Sequence, residues 1–323
     1  MRLPVLEEGR AMRICVFGAG VIGSLYAGRL ASAGHDLTVV ARGARSARIE
    51  SDGIVLVDEV SGERAAVRVE TAPRLDPERS WDVVLVAVRK DQLAAALPEL
   101  AANRVTPLFV SMINSADGSR SLVEAVGEAR LSLGFPGAGG ARREDGTVLY
   151  RIVSGAVQKT TFGELRGAPG PAVRELASAV GKAGFPVALS GRMDAWQKTH
   201  VAMVSPLANA VYARSGDLEA LSRDREIIGL TIDAVRDGFA ALRSLGIEPE
   251  PRSLERVFSA PKGLLAPALA ALFRTRWADT VIARHALSAR AEMRLLSEEL
   301  LSLADSSTAE VGSLRRLSEL AAG

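Results

Sequence analysis

The sequence predicts an α/β protein in two parts: a mostly parallel, doubly wound sheet over residues 12–191, then an all-helical part over residues 192–323. Three observations predict it. Strand-like and helix-like periods alternate through the first two-thirds of the chain. The runs at 81–90 and 105–114 are nearly continuous in apolar residues, as expected where helices cover both faces of a sheet. From Arg192 onward apolar residues recur every three or four positions, with no convincing strand.

Taken in order, residues 1–11 (MRLPVLEEGRA) are charged and lack a signal-peptide apolar core, and they read as a disordered extension or an over-long start ahead of Met12. RICVFGAG (13–20) is a buried strand running into a glycine turn. VIGSLYAGRLASAG (21–34) is a helix closing at Gly34, and DLTVVAR (36–42) is the second strand. GIVLVD and AAVRVE predict a hairpin excursion. WDVVLVAVRK and VTPLFVSMIN return to the parallel sheet, and SADGSRSLVEAV predicts the next helix. LSLGFPGAGG, GTVLYRIVSG and KTTFGE predict short strands at the far end of the same sheet. RGAPGP is a linker to helix AVRELASAVGKAG and a last strand, FPVALS. Helical segments follow at 195–213, 223–245, 253–273 and 276–304.

Bulk properties narrow the function. At roughly 150 residues per domain, 323 residues give about two domains, and 48% apolar with 24% charged residues describes an ordinary soluble protein. Both charge signs are scattered, so no basic, aromatic-interleaved patch suggests nucleic acid. No apolar run reaches the ~18 residues of a membrane span. A single cysteine, Cys15, excludes an internal disulfide and a thiolate metal cluster. With three scattered histidines and no close acidic cluster, no metal is expected. The expectation is a cytoplasmic protein acting on a small molecule.

GAGVIG follows a strand and opens a helix, the context a dinucleotide fingerprint requires. Gly18 makes the tight turn, Gly20 lets backbone approach a pyrophosphate, and Gly23 packs helix on strand. Ala19, Val21 and Ile22 complete the loop under the helix N-terminus. This makes the first part a Rossmann domain. An NAD site usually ends its second strand in an acid; here Arg42 stands there, with Arg45 and Arg48 beyond. A cation suits a 2′-phosphate, so NADPH is the expected cofactor. The next strand ends place Arg89, Lys90 and Asn114 at the same crevice. Asn114 could contact the nicotinamide or a substrate carbonyl, or cap the helix that follows.

The chain uses Arg for 35 of its 40 cations, so Lys198, in AWQKTHVAMVSPLANAV, draws notice. A lysine can release a proton where a guanidinium cannot. Lys198, Ser205 and Asn209 fall on one helical face, and Pro206 should kink the helix. On a later helix His285, Ser288 and Glu292 share a face. His200 points elsewhere and reads as structural.

From Met12 onward these residues resemble the ketopantoate reductase (2-dehydropantoate 2-reductase) family. The resemblance rests on CVFGAGVIGSLYAGRLASAGHDLTVVAR, WDVVLVAVRKDQ, the strand ending in Asn114, GARREDGTVLYR and AWQKTHVAMVSPLANAV with SGDL. It implies an active site between a Rossmann and a helical domain, NADPH-dependent reduction of a 2-keto acid, and a homodimer. It further implies Lys198 as general acid, Asn114 ordering lysine and nicotinamide, and Arg42 on the 2′-phosphate. Departures are visible: Arg89 replaces a usual lysine, Ser115 a glycine, Ala202 a substrate asparagine, and Ser205 the asparagine before Pro206. In a register anchored on Asp279, Arg284 and His285, the family's substrate glutamate falls at Leu287, leaving His285 and Glu292 as substitutes. These losses point to a different carbonyl or imine substrate, or to a non-catalytic NADP(H) sensor.

Overall fold

A computed structural model describes residues 10–322, with all side chains among them except those of Thr280, Val281 and His285. The first nine residues of the expected disordered extension lie outside the described residues. Arg10, within that extension, pairs with Asp82 at 3.2 Å. The chain forms two compact units: one runs to Ile113 and resumes over Arg120–Met193, and the other joins Asn114–Ser119 to Asp194–Gly323.

Among its described residues the first unit holds twelve strands: β1 (Arg13–Phe17), β2 (Asp36–Val40), β3 (Ile54–Asp58), β4 (Arg64–Val67), β5 (Glu70–Ala72), β6 (Val83–Val86), β7 (Phe109–Ser111), β8 (Leu131–Phe135), β9 (Ala138–Arg142), β10 (Val148–Ile152), β11 (Thr160–Glu164) and β12 (Val187–Leu189). Eight form the main sheet in the order β12-β11-β8-β7-β6-β1-β2-β5. Every neighbouring pair is parallel except β8 and β11. The order reverses at β1, which is flanked by β2 and β6, and such a switch point is where open α/β sheets leave a crevice for ligands.

Alternation along β1 explains why its sequence is uniformly apolar. Ile14 and Val16 enter one buried cluster, with Leu25, Leu30 and Val180, and Cys15 and Phe17 enter another, with Trp81, Leu93 and Leu100. Both faces of the strand are therefore covered.

One expectation needs correction. GAGGAR and VLYRI do not extend the far end of the main sheet. They form β9 and β10, which join the β3–β4 hairpin in a second sheet, ordered β4-β3-β10-β9. The physical reason lies in helix Val21–Ser32, where Gly23, Ser24, Leu25, Tyr26, Ala27, Gly28 and Leu30 are all buried. A helix apolar nearly all round needs a second cover. The hairpin supplies it: a Cβ on Gly28 would meet Leu56 Cδ1 at 2.8 Å.

The second unit is helical. Met193–Tyr212 runs on through Pro206, and Arg225–Ser244 buries Ile228, Ile232, Val235 and Phe239 at helical spacing. A Cβ on Gly238 would lie 3.0 Å from Ala202 Cβ and 3.3 Å from its carbonyl oxygen, so backbone bulk meets backbone bulk where these helices cross. The segment expected as one helix over 276–304 is instead interrupted. Asp279–Ala283 is a wider π turn, Arg284–Ser288 is α-helical, and Ala289 leaves the helix at φ −121° and ψ 35° before Arg290–Asp305 begins. Tyr212 donates its hydroxyl at 2.6 Å to the Ala286 carbonyl, the acceptor a continuous helix would offer to residue 290. A further helix, Gly312–Ala322, falls outside the expected segments. Among the described residues no helix is long and apolar enough to cross a membrane.

Candidate nucleotide loop and lysine site

In the first unit, the glycine loop shows why each glycine is required. Gly18 has φ +113°, and a Cβ there would lie 2.9 Å from the Ala87 carbonyl oxygen. A Cβ on Gly23 would sit 1.9 Å from the Gly18 carbonyl oxygen, so helix and turn close on each other. Gly20 differs: nothing lies within 4 Å of its Cβ position, leaving bare backbone open. It precedes helix Val21–Ser32, which has no side-chain cap and no acid in its first turn. An uncapped, acid-free N-terminus with clear space before it suits a pyrophosphate. The loop therefore fits a dinucleotide, with Ala19, Val21 and Ile22 contributing backbone.

Positive charge gathers beside it. The Ala19 carbonyl accepts from Ser24 Oγ at 3.2 Å, Arg45 Nε at 3.2 Å and Arg142 at 3.5 Å. Because the peptide is planar and trans, the Gly20 N–H points away from that cluster. Arg45 also donates to Ser24 Oγ and to the Gly146 carbonyl. Burial, then the charges of Arg142 and Arg48, push its guanidinium down to about 10. It stays charged at neutral pH, among oxygens that carry no compensating charge.

Arg42 is placed differently from Arg45. Its guanidinium is ion-paired with Glu99, and its Nε donates to the Pro73 carbonyl at 3.0 Å. Arg89 takes the N-cap position of helix Lys90–Ala102 and pairs with Asp91 at 3.0 Å.

In the second unit, Asn114 opens a loop whose geometry corrects the expected helix at 115–126. Gly118 and Ser119 have φ of +76° and +57°, and the helix starts only at Arg120. Asp117 Oδ1 accepts from the Ser115 hydroxyl and from Ser119 N at 3.0 Å, while Ala116 N donates to Glu299 Oε2 at 3.0 Å. Asn114 is not the helix cap: its Oδ1 is buried with no hydrogen-bond partner.

Lys198 comes close to this loop. A Cβ on Gly118 would lie 3.7 Å from Lys198 Nζ and 3.4 Å from Asp194 Oδ1. Lys198 donates to Asp194 Oδ2 at 2.6 Å, and its side chain is only 14% exposed. Seven residues on, Ser205 is fully buried and its Oγ also lacks a partner. Asn209 donates to Ser297 Oγ at 3.1 Å. His200 stacks on Trp196 at 5.4 Å. Glu292 is buried in the first turn of Arg290–Asp305, whereas Leu287 is 48% exposed and close to Gly216. The His285 side chain lies outside the described residues.

The sequence reading missed three residues: Asp194 as the partner of Lys198, Glu299 as the tether of the loop, and Arg142 at the Ala19 carbonyl. An acid four residues before a lysine was a signal for the first. For the other two the partners are distant in sequence.

Comparison with known proteins is consistent with this geometry. Residues 14–167 match the family model described as Ketopantoate reductase PanE/ApbA. A 2-dehydropantoate 2-reductase from Mesorhizobium japonicum is 30% identical over 213 residues, or 58% of this chain and 63% of that protein. The match thus spans less than two thirds of that relative's length. Among solved structures, a PanE/ApbA family ketopantoate reductase from Ralstonia eutropha JMP134 aligns with TM-score 0.72 at 19% identity, covering 96% of this chain and 97% of its own. D-mandelate dehydrogenase with NADH and anilino(oxo)acetate aligns with TM-score 0.77 at 13% identity, covering 96% and 97%. Over residues 14–167 the chain is thus similar to the ketopantoate reductase family, and over 96% of its length it has the fold of these solved structures.

Proposed function

We propose that the protein is an NADPH-dependent oxidoreductase that reduces the carbonyl of a small 2-oxo acid, in the manner of a 2-dehydropantoate 2-reductase. One observation carries the reading. Among the described residues two buried side-chain oxygens lack partners, Asn114 Oδ1 and Ser205 Oγ, and they lie on the loop and the helix that bring Lys198 and Gly118 together. A buried polar atom left unpaired costs ~1–3 kcal/mol, so two on these elements ask for a ligand.

Bound at the glycine loop, a reduced nicotinamide dinucleotide supplies the hydride that the carbonyl carbon accepts. Lys198 donates a proton to the carbonyl oxygen as negative charge develops there, and the resulting amine recovers a proton from water. Asn114 offers its open acceptor to order the ammonium or the carboxamide edge of the cofactor. Ser205, Asn209, His285 and Glu292 bind the substrate, Glu292 as acceptor for a hydroxyl or amine. Arg42 meets the 2′-phosphate, within a field strengthened by Arg45 and Arg142, and Arg89 holds a carboxylate.

Supporting a substrate other than 2-dehydropantoate is the Ala202–Gly238 crossing. At the position where the resemblance implies a substrate asparagine stands a fully buried Ala202, which packs against the neighbouring helix at Gly238. NADPH absorbance followed against 2-dehydropantoate, other 2-oxo acids and cyclic imines tests the reading. Oxidation with one of them is expected. Tight NADPH binding without oxidation by any would favour the sensor instead.

A further inference from the structure

We infer that Asp194 is a positioning residue for Lys198, fixing the direction of its ammonium and drawing back the proton it gives up. The inference rests on the proposed role of Lys198 as the proton donor. Asp194 Oδ2 accepts from Nζ at 2.6 Å, and the two side chains are 33% and 14% exposed. A lysine stem has four rotatable carbons and three equivalent donors. One donor held by Asp194 leaves two, and the position of Gly118 sets where they go. At φ +76° Gly118 takes a left-handed backbone that a side chain would strain, and its missing Cβ keeps the space 3.7 Å from Nζ clear.

Several charged groups of the same unit make contacts of their own. Asp117 binds the Ser115 hydroxyl and the Ser119 N–H, and Glu299 binds the Ala116 N–H. Glu250 reaches this helix through its backbone N–H, which donates to Thr199 Oγ1 at 2.9 Å. Glu292 is buried on Arg290–Asp305, and His200 stacks on Trp196. Asp194 is the carboxylate bonded to the ammonium. It is also the more exposed partner, so once Lys198 has passed its proton to the product oxygen, the carboxylate favours recapture of a proton from water by the neutral amine.

A plain alternative exists. An acid in the first turn of a helix, four residues before a lysine, also stabilises that helix. The test separates the two on the full chain, with Asp194→Asn, Asp194→Glu and Lys198→Ala in parallel. Acetylation of Lys198 at a fixed pH, read by mass spectrometry, needs no turnover. Its rate is expected to rise in Asp194→Asn, where no carboxylate holds the ammonium, and to return toward the parent value in Asp194→Glu. With NADPH and 2-dehydropantoate or phenylglyoxylate, kcat of Asp194→Asn should drop about 3–30-fold, less than the full general-acid contribution, with unchanged NADPH affinity and recovery in Asp194→Glu. An unchanged labelling rate and parent-level kcat in Asp194→Asn, with Lys198→Ala inactive, overturn this inference alone. Full turnover in Lys198→Ala overturns the proposed proton donor itself.

Discussion

Ala116 donates its backbone N–H to Glu299 Oε2 at 3.0 Å, across 183 residues of sequence. Through that bond the helix Arg290–Asp305 holds the loop that carries Asn114 and Gly118. A hydrogen bond to a charged acceptor contributes about 1.5–3 kcal/mol. Glu299→Gln should therefore loosen the loop: amide exchange at Ala116 quickens and kcat falls, while NADPH affinity is preserved. Unchanged exchange at Ala116 would show that the loop does not depend on this carboxylate.

Under the proposed function the arginines of the first unit select the nucleotide. Arg42→Asp should weaken NADPH far more than NADH. Arg45→Ala, which removes one of the donors to the Ala19 carbonyl, should weaken both, because Arg45 holds the glycine loop itself. Fluorescence titration with each nucleotide measures both effects. Equal losses for the two nucleotides in Arg42→Asp would remove the basis for preferring NADPH.

Backbone crowding gives a stability prediction. A side chain on Gly238 meets Ala202 within 3.0–3.3 Å, including its carbonyl, and neither backbone can yield as a flexible side chain would. Gly238→Val should cost about 1–3 kcal/mol, the usual range for overpacking. Thermal unfolding measures it, and an unchanged midpoint would contradict the tight crossing.

Acid sensitivity should arise at His35. Burial, then the charge of Lys182, holds its imidazole below the ordinary value, and its Nδ1 accepts from Met12 N at 3.1 Å. The unfolded chain then binds the proton more readily, so this contribution is complete above about pH 6.5. It is lost as pH falls from there through the folded value. Glu70, held low by Arg79, acts in the same direction but only below the ordinary carboxylate range. Thermal midpoints at pH 7 and pH 5 should therefore differ less in His35→Asn than in the parent, and equal pH dependence would contradict the assignment.

What the sequence made legible was local. Strand, turn and helix around Gly18, Gly20 and Gly23 could be read because the constraint spans about ten residues. The helical second part was legible from periodicity. The partner of the β3–β4 hairpin was not, because β10 pairs with β3 across some ninety residues, Val148 opposite Leu56. Neither was the pairing of Arg42 with Glu99, nor the membership of Asn114–Ser119 in the helical unit, both made by tertiary contacts. The break at Ala289 escaped for the same reason: the Tyr212 hydroxyl that claims the Ala286 carbonyl leaves no mark on apolar spacing. At the candidate site, Lys198 stood out by residue choice, but the orphaned oxygens of Asn114 and Ser205 needed coordinates.

The claim at the centre is that one half-hidden amine passes a proton to a substrate oxygen. Steady-state kcat of Lys198→Ala, measured beside its NADPH dissociation constant, tests it most directly. A loss of about 10²–10⁴-fold in kcat with the dissociation constant unmoved is the predicted result, as for removal of a general acid. Turnover equal to that of the parent protein would contradict it.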